Sequence, residues 1–177
     1  MSTERDDSVV YWCQMDAGML RFYVAATKSG LCYVGSDGSS FEELETWVRR
    51  TIRDAQLLHD EARLADYRQQ FVEYVNGQRT TFDFAIDLRG TLFQQQVWRT
   101  LAAIPYGDTC SYSTIADKLG RGGAARAVGA AIGANPVLIA VPCHRVVGKN
   151  GTLTGYRGGL RMKEALLNLE KSIALSC

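Results

Sequence analysis

The chain of 177 residues contains no long uncharged apolar run, so nothing in it reads as a membrane-spanning helix. Met1 to Ser8 is polar and acidic, without the apolar segment of a secretory signal. Cysteine is present, as Cys13, Cys32, Cys110, Cys143 and Cys177, but in an odd number and with no CxxC spacing. That pattern points to a reduced, cytoplasmic protein. Cys13, Cys32 and His59 fit no standard zinc spacing and read as satisfied core residues, so no metal is expected. Histidine is scarcer still, limited to His59 and His144. The second half of the chain is also short of carboxylates.

That last shortage is informative. Residues 1–87 carry 9 Lys and Arg against 15 Asp and Glu, whereas residues 88–177 carry 11 against 4. A formal net charge of +1 therefore conceals an acidic half and a basic half. The basic half reads as a nucleic-acid footprint, with a solvated basic face as the plainer alternative. The length is enough for one large or two small domains with a real core.

Val9–Met15, Met19–Thr27 and Leu31–Gly35 are β-rich runs separated by turn chemistry, which predicts a small antiparallel sheet. Phe41 to Arg53 and Glu61 to Val75 show helical spacing, and Thr80 to Leu88 alternates as a further strand. Beyond Arg89-Gly90-Thr91 short helices are predicted over 93–104, 114–119 and 124–134, with Ser111 or Ser113 capping the second. Helix, glycine-containing turn and helix in a basic region make a helix-turn-helix candidate. Its second helix is nearly all Ala, Gly, Val and Ile, with Arg126 as its one charge. Such a helix cannot read base edges by long side chains, but it can approach a backbone or groove closely. Tight packing in a core is the other use of such a helix. Gly148 to Gly151 reads as a hairpin-type turn, and a closing helix over 160–169 is predicted to turn Leu160, Ala165, Leu166 and Leu169 inward.

Between these lies Val141-Pro142-Cys143-His144-Arg145-Val146. The apolar run from Val137 into Pro142 predicts a buried strand that stops abruptly and presents Cys143 at its end. A thiol beside an imidazole and a guanidinium sits in a setting that favours thiolate. A nucleophilic cysteine needs a base and the base an orienting carboxylate. His144 and the distant Glu170 can supply them, as in a Cys/His/Glu hydrolase. A thiolate also attacks unhindered alkyl carbon. If that carbon is on a base, the base must leave the duplex, at a cost of a few kcal/mol, and Arg126 is placed to fill the gap.

Pro142-Cys143-His144-Arg145-Val146 resembles the active-site signature of the O6-alkylguanine-DNA alkyltransferases, also called methylated-DNA–protein-cysteine methyltransferases. The similarity continues through Phe93–Trp98, Ile104–Gly107, Ser111-Tyr112, Ala125–Gly129, Asn135-Pro136 and Gly155-Tyr156, over about residues 87–177. The resemblance implies an α+β protein: a ribonuclease-H-like αβ domain over 1–87, then a mostly helical, winged-helix-like domain with the helix-turn-helix over 88–177. It implies suicidal direct-reversal DNA repair without a cofactor, in which an alkyl group on guanine O6, or on thymine O4, passes irreversibly to Cys143.

In that reading His144 deprotonates Cys143 through a water and Glu170 holds His144. Arg126 replaces the flipped nucleotide, and Tyr112 assists flipping and hydrogen-bonds the leaving guanine. Asn135 is a hinge bonded near Val146. The carbonyls of Cys143 and Val146 read the exocyclic amine, Tyr156 and Arg157 wall the pocket, and Arg145 secures the strand. Ala125, Arg126 and Ala127 lie against DNA, with Ser113, Arg121 and Lys149 at phosphates. Arg157 departs from the small residue of some relatives, and the structural zinc of others lacks its ligands. The expected partner is duplex DNA carrying O6-alkylguanine, bound by a monomer, singly or cooperatively along the DNA, that is cytoplasmic and, in a prokaryote, associated with the nucleoid through DNA. The competing readings are a hydrolase and a protein that senses alkylated DNA without reacting.

Overall fold

The computed structural model describes residues 8–176; Met1–Asp7 and Cys177 lie outside the described residues. β1 (Val9–Ala17), β2 (Leu20–Thr27) and β3 (Gly30–Val34) form the expected antiparallel meander. α1 (Phe41–Thr51) then crosses back to β4 (Gln56–His59), which pairs parallel to β1 and completes the sheet in the order β3-β2-β1-β4. β4 is not apparent in the sequence, because its four residues carry no β-branched side chain or alternation and are placed by backbone pairing with Val9–Trp12.

The sheet buries both faces, since successive side chains of a strand point in opposite directions. Leu44 and Val48 of α1 cover Val10, Ala25 and Tyr33 on one side. On the other side Phe71 and Tyr74 of α2 (Ala65–Val75) join Met15, Phe22 and Val24. α2 begins four residues later than its spacing suggests, after turns at 61–64. The predicted strand over Thr80–Leu88 does not form. Phe82 and Phe84 do share a face, 5.1 and 5.8 Å from the Phe71 ring. The backbone, however, meets the sheet only around Leu31, which donates to Ala85 and accepts from Asp87.

The second half is a helical bundle with a small parallel ribbon, β5 (Cys110–Ser111) with β6 (Val146–Val147). Thr91 and Gln94 close a capping box on α3 (Leu92–Ala102), satisfying two otherwise orphan amides. Ser111 caps α4 (Tyr112–Lys118) and so resolves the choice between Ser111 and Ser113. α5 (Ala125–Gly133) follows the glycine turn, and the Trp98 indole of α3 donates to the Ala131 carbonyl on it at 2.8 Å. The small side chains of α5 divide their work: Val128, Ala131 and Ile132 are buried, while Arg126 and Ala127 face outward.

Two expectations fail near the reactive cysteine. Val137, Leu138, Ile139 and Val141 are buried, but the run forms no strand: Val137 makes one bridge to Val34, and Ile139 turns the chain with a φ of +69°. That left-handed conformation is disfavoured for a β-branched residue, and the buried surroundings of Ile139 hold it. Cys143 sits in a 3-10 turn, Cys143–Arg145, instead of at a strand end. The last helix, α6 (Leu160–Ala174), is longer than predicted and rotated from the expected face. Leu160 and Ala165 are exposed, while Met162, Lys163, Leu166 and Glu170 are buried. No helix of the described residues is long and apolar enough to cross a membrane.

Candidate active site

Cys143 lies on the wall of a cavity of about 350 Å³ that Tyr112, Gly129, Ile132, Tyr156 and Arg157 also line. The 3-10 turn puts Cys143, His144 and Arg145 in sequence yet sends their side chains to different tasks. Cys143 Sγ accepts a hydrogen bond from Asn135 Nδ2 at 3.1 Å. Burial pushes the thiol up from its ordinary value, opposed by that bond and by the positive charges of Arg157 and Lys163. Burial thus outweighs the electropositive setting that favours thiolate: the cations soften its penalty but do not overcome it.

His144 is buried, and its Nε2 lies 2.7 Å from Glu170 Oε1. Glu170 accepts a hydrogen bond from Nε2–H, so the lone pair falls on Nδ1, which has no hydrogen-bond partner among the described residues. Burial pushes the imidazole down from its ordinary value, against the pull of Glu170, so it rests neutral. Glu170 is buried as well, which by itself would raise its carboxyl. Bonds from His144, Arg145 and Tyr74 outweigh that and hold it at about 2. Arg145 grips it with Nε on Oε2 at 2.9 Å and Nη2 on Oε1 at 2.8 Å. The third nitrogen of Arg145, Nη1, donates to the Ile104 carbonyl at 2.7 Å. Gly107 adds its amide to Oε2 at 3.3 Å, and its φ of +83° is one that glycine adopts freely. The charge of Glu170 near the end of α6 is thus balanced by side chains instead of the helix dipole. Arg145 does secure its surroundings, through Glu170 and Ile104 and not through a strand.

The other predicted residues divide between pocket and surface. Asn135 is buried, with Oδ1 accepting from the Val137 amide and Nδ2 donating to the Val137 and Val141 carbonyls. It does not bond near Val146. The Val146 carbonyl instead accepts from Lys163 Nζ at 2.6 Å. Tyr112 reaches over the pocket to the Gly155 carbonyl at 3.5 Å. The Arg157 guanidinium leaves the cavity and donates to Val34, Asn135 and Pro136 carbonyls at 2.6, 2.8 and 3.1 Å. Its stem walls the pocket while its charge fastens that wall to β3. Arg126, Ala127, Ser113, Arg121 and Lys149 are exposed and Ala125 half-buried. Arg121 lies over the Phe93 ring at 5.0 Å, and Ser113 Oγ is 2.8 Å from Ser111 Oγ.

Two residues of the site escaped sequence reasoning. Lys163 Nζ is buried and also donates to the Thr154 carbonyl at 2.8 Å, so it holds the loop that carries Tyr156. Its position seven residues before Glu170, on the apolar face with Leu166, was a readable signal. Tyr74, whose hydroxyl donates to Glu170 Oε1 at 2.5 Å, comes from 96 positions away and carries no such signal. No group of three or more His, Cys, Asp or Glu among the described residues could hold a metal ion.

Two family models match the chain: the 6-O-methylguanine DNA methyltransferase ribonuclease-like domain over residues 14–88, and the DNA-binding domain of the same family over residues 92–172. The inducible methylated-DNA–protein-cysteine methyltransferase of Bacillus subtilis is 48% identical over 168 residues, covering 95% of this chain and 94% of that protein. The Mycobacterium tuberculosis protein of that name (strain H37Rv) is 60% identical over 105 residues, 59% of this chain and 64% of that protein. Among solved structures, the M. tuberculosis O6-methylguanine methyltransferase matches with a TM-score of 0.80 at 43% identity, covering 92% of this chain and 93% of that one. The M. tuberculosis OGT in complex with DNA matches at 0.79 and 42%, covering 92% and 94%. With the mixed sheet, the helix-turn-helix and the Cys143–His144–Glu170 arrangement already in view, these matches place the chain in the methylated-DNA–protein-cysteine methyltransferase family.

Proposed function

We propose that this protein repairs O6-alkylguanine, and O4-alkylthymine, in duplex DNA by moving the alkyl group to Cys143 once and irreversibly. The observation that carries this reading is the pairing of a pocket-facing thiol with a buried neutral imidazole whose Nδ1 is free to accept a proton. A water between Cys143 and His144 relays the thiol proton to Nδ1, and Glu170 steadies the imidazolium that results. The sulfur attacks the alkyl carbon, an S–C bond forms, and the C–O6 bond breaks with its electron pair passing to guanine. Tyr112 offers its hydroxyl to the departing base. The thioether has no route back to thiol, so each chain reacts once.

The DNA side follows from exposure and shape. α5 presents Ala125 and Ala127 beside Arg126, a small-residue surface that fits a groove closely, and Arg126 enters the stack where the base was. Ser113, Arg121 and Lys149 serve phosphates. Asn135 connects α5 to the reactive turn, and the carbonyls of Cys143 and Val146 take the exocyclic amine, with Lys163 fixing the latter. Residues 1–87 and 88–177 are the two domains, the first scaffolding the second. The protein acts as a monomer in the cytoplasm.

Duplex DNA carrying O6-methylguanine tests the reading by intact-protein mass spectrometry. One methyl per chain on the Cys143 peptide, with no second turnover, is expected, and Cys143→Ser should bind the lesion but gain no methyl. Repeated turnover would indicate a hydrolase, and binding without modification of Cys143 a lesion sensor; either result rejects the proposal.

A further inference from the structure

Glu170 Oε1 is crowded. It accepts from Tyr74 Oη at 2.5 Å, lies 2.7 Å from His144 Nε2 and accepts from Arg145 Nη2 at 2.8 Å. Oε2 accepts from Arg145 Nε and the Gly107 amide. A carboxylate offers about four lone-pair directions, so five donors compete for it. Four of them come from the half of the chain that carries Cys143. Tyr74 belongs to α2, in the half that carries the sheet.

We infer that Tyr74 is a positioning residue of the alkyl-transfer site, supplied by the sheet-bearing half, whose hydroxyl on Glu170 Oε1 limits how strongly Glu170 draws on His144. This rests on the functional reading above and adds a group to it. Burial, followed by the nearby Glu170 charge, pushes the Tyr74 phenol well up, so it remains an O–H donor. Its ring is held between Phe82 at 5.3 Å and Tyr106 at 6.0 Å, which fixes where the hydroxyl points. Each donor that draws density from Oε1 makes the carboxylate a weaker partner for an imidazolium. Tyr74 therefore helps keep His144 neutral at rest with its proton on Nε2 and its lone pair on Nδ1. Other groups act on this pair: Arg145 on the turn, Tyr106 after α3, Tyr156 in the pocket loop, and Lys163 on α6. Arg145 and Lys163 push the imidazole down together with burial. Tyr74 does so without a charge, by occupying the acceptor.

The sequence provides a clean observable, because His59 and His144 are its only histidines. In histidine-labelled protein, two-bond proton–nitrogen spectra follow both rings through a pH titration. Tyr74→Phe removes one oxygen and keeps the ring. In this variant the His144 midpoint should rise by on the order of half to one pH unit, or its Nε2–H resonance should move downfield, with exposed His59 as the internal control. Phe82→Leu, which loosens the same packing without touching Glu170, should leave the His144 midpoint and resonance in place. If Tyr74→Phe changes neither His144 observable, lowers the midpoint, or has its effect reproduced by Phe82→Leu, the inference is overturned. Methyl transfer by the unaltered protein is measured alongside. Its absence would reject the alkyl-transfer reading, whereas transfer with an unresponsive His144 would reject the role of Tyr74 alone.

Discussion

Replacing Glu170 by Gln tests the buried relay where its energy is concentrated. The substitution keeps the size of the side chain and removes its charge. It also replaces an oxygen by an amide that can only donate, so it faces Arg145, His144 or Tyr74 donor to donor. Arg145 then keeps the Ile104 carbonyl as an acceptor but loses its counter-ion in a site where it is 7% exposed. Breaking a buried pair from one side costs about 3–5 kcal/mol. The protonation equilibrium gives a second route to the number. A carboxyl held at about 2 instead of 4.5 contributes about 3 kcal/mol of stability at neutral pH. The two agree. Because the folded-state value is depressed, this contribution is fully present above 4.5 and is lost as pH falls towards about 2. By roughly pH 3.5 about 1.4 kcal/mol of it should have gone. Urea denaturation of both proteins at pH 7 and near pH 3.5 measures it. The expected gap is about 3 kcal/mol or more at pH 7, shrinking by about half at the lower pH. A gap under about 1 kcal/mol at pH 7, or one independent of pH, would refute the claim that Glu170 is a buried, multiply bonded anion.

Arg126→Ala should lower methyl transfer from duplex DNA by about 10- to 100-fold, in keeping with the few kcal/mol of flipping cost it offsets. Reaction with free O6-benzylguanine should remain largely intact; equal loss of both in single-turnover assays would remove Arg126 from the flipping step. Arg157→Ala removes a donor from three carbonyls, of which Val34 and Pro136 keep a backbone amide, and should destabilise the protein by about 1–2 kcal/mol in urea denaturation. It should also widen the pocket towards the neighbouring groove of Tyr33 and Trp47, raising the ratio of benzyl to methyl transfer several-fold. An unchanged ratio would mean that the stem of Arg157 does not bound the pocket.

Local chemistry was readable along the chain. The meander, α1, and the three helices that include the helix-turn-helix follow from periodicity and caps, and Pro142-Cys143-His144-Arg145-Val146 identified the reactive segment. Where period-2 patterns lacked a neighbouring strand, they misled. Thr80–Leu88 alternates because Phe82 and Phe84 pack on α2, and the apolar run at 137–141 serves burial of Val137, Leu138, Ile139 and Val141. Neither property requires a ladder of hydrogen bonds.

Charge pointed to the basic half as a nucleic-acid footprint, and residue types pointed to Cys143, His144 and Glu170 as the residues to examine. Folding decided what each of them is. Burial raised the Cys143 thiol against its electropositive setting, made Arg145 the partner of Glu170, and drew Lys163 into the site together with Tyr74, which nothing in the sequence announces. The physical reason is that residue identity supplies donors, acceptors and charges, whereas desolvation and the distances that set their strengths exist only once segments as far apart as Tyr74 and Glu170 share one core.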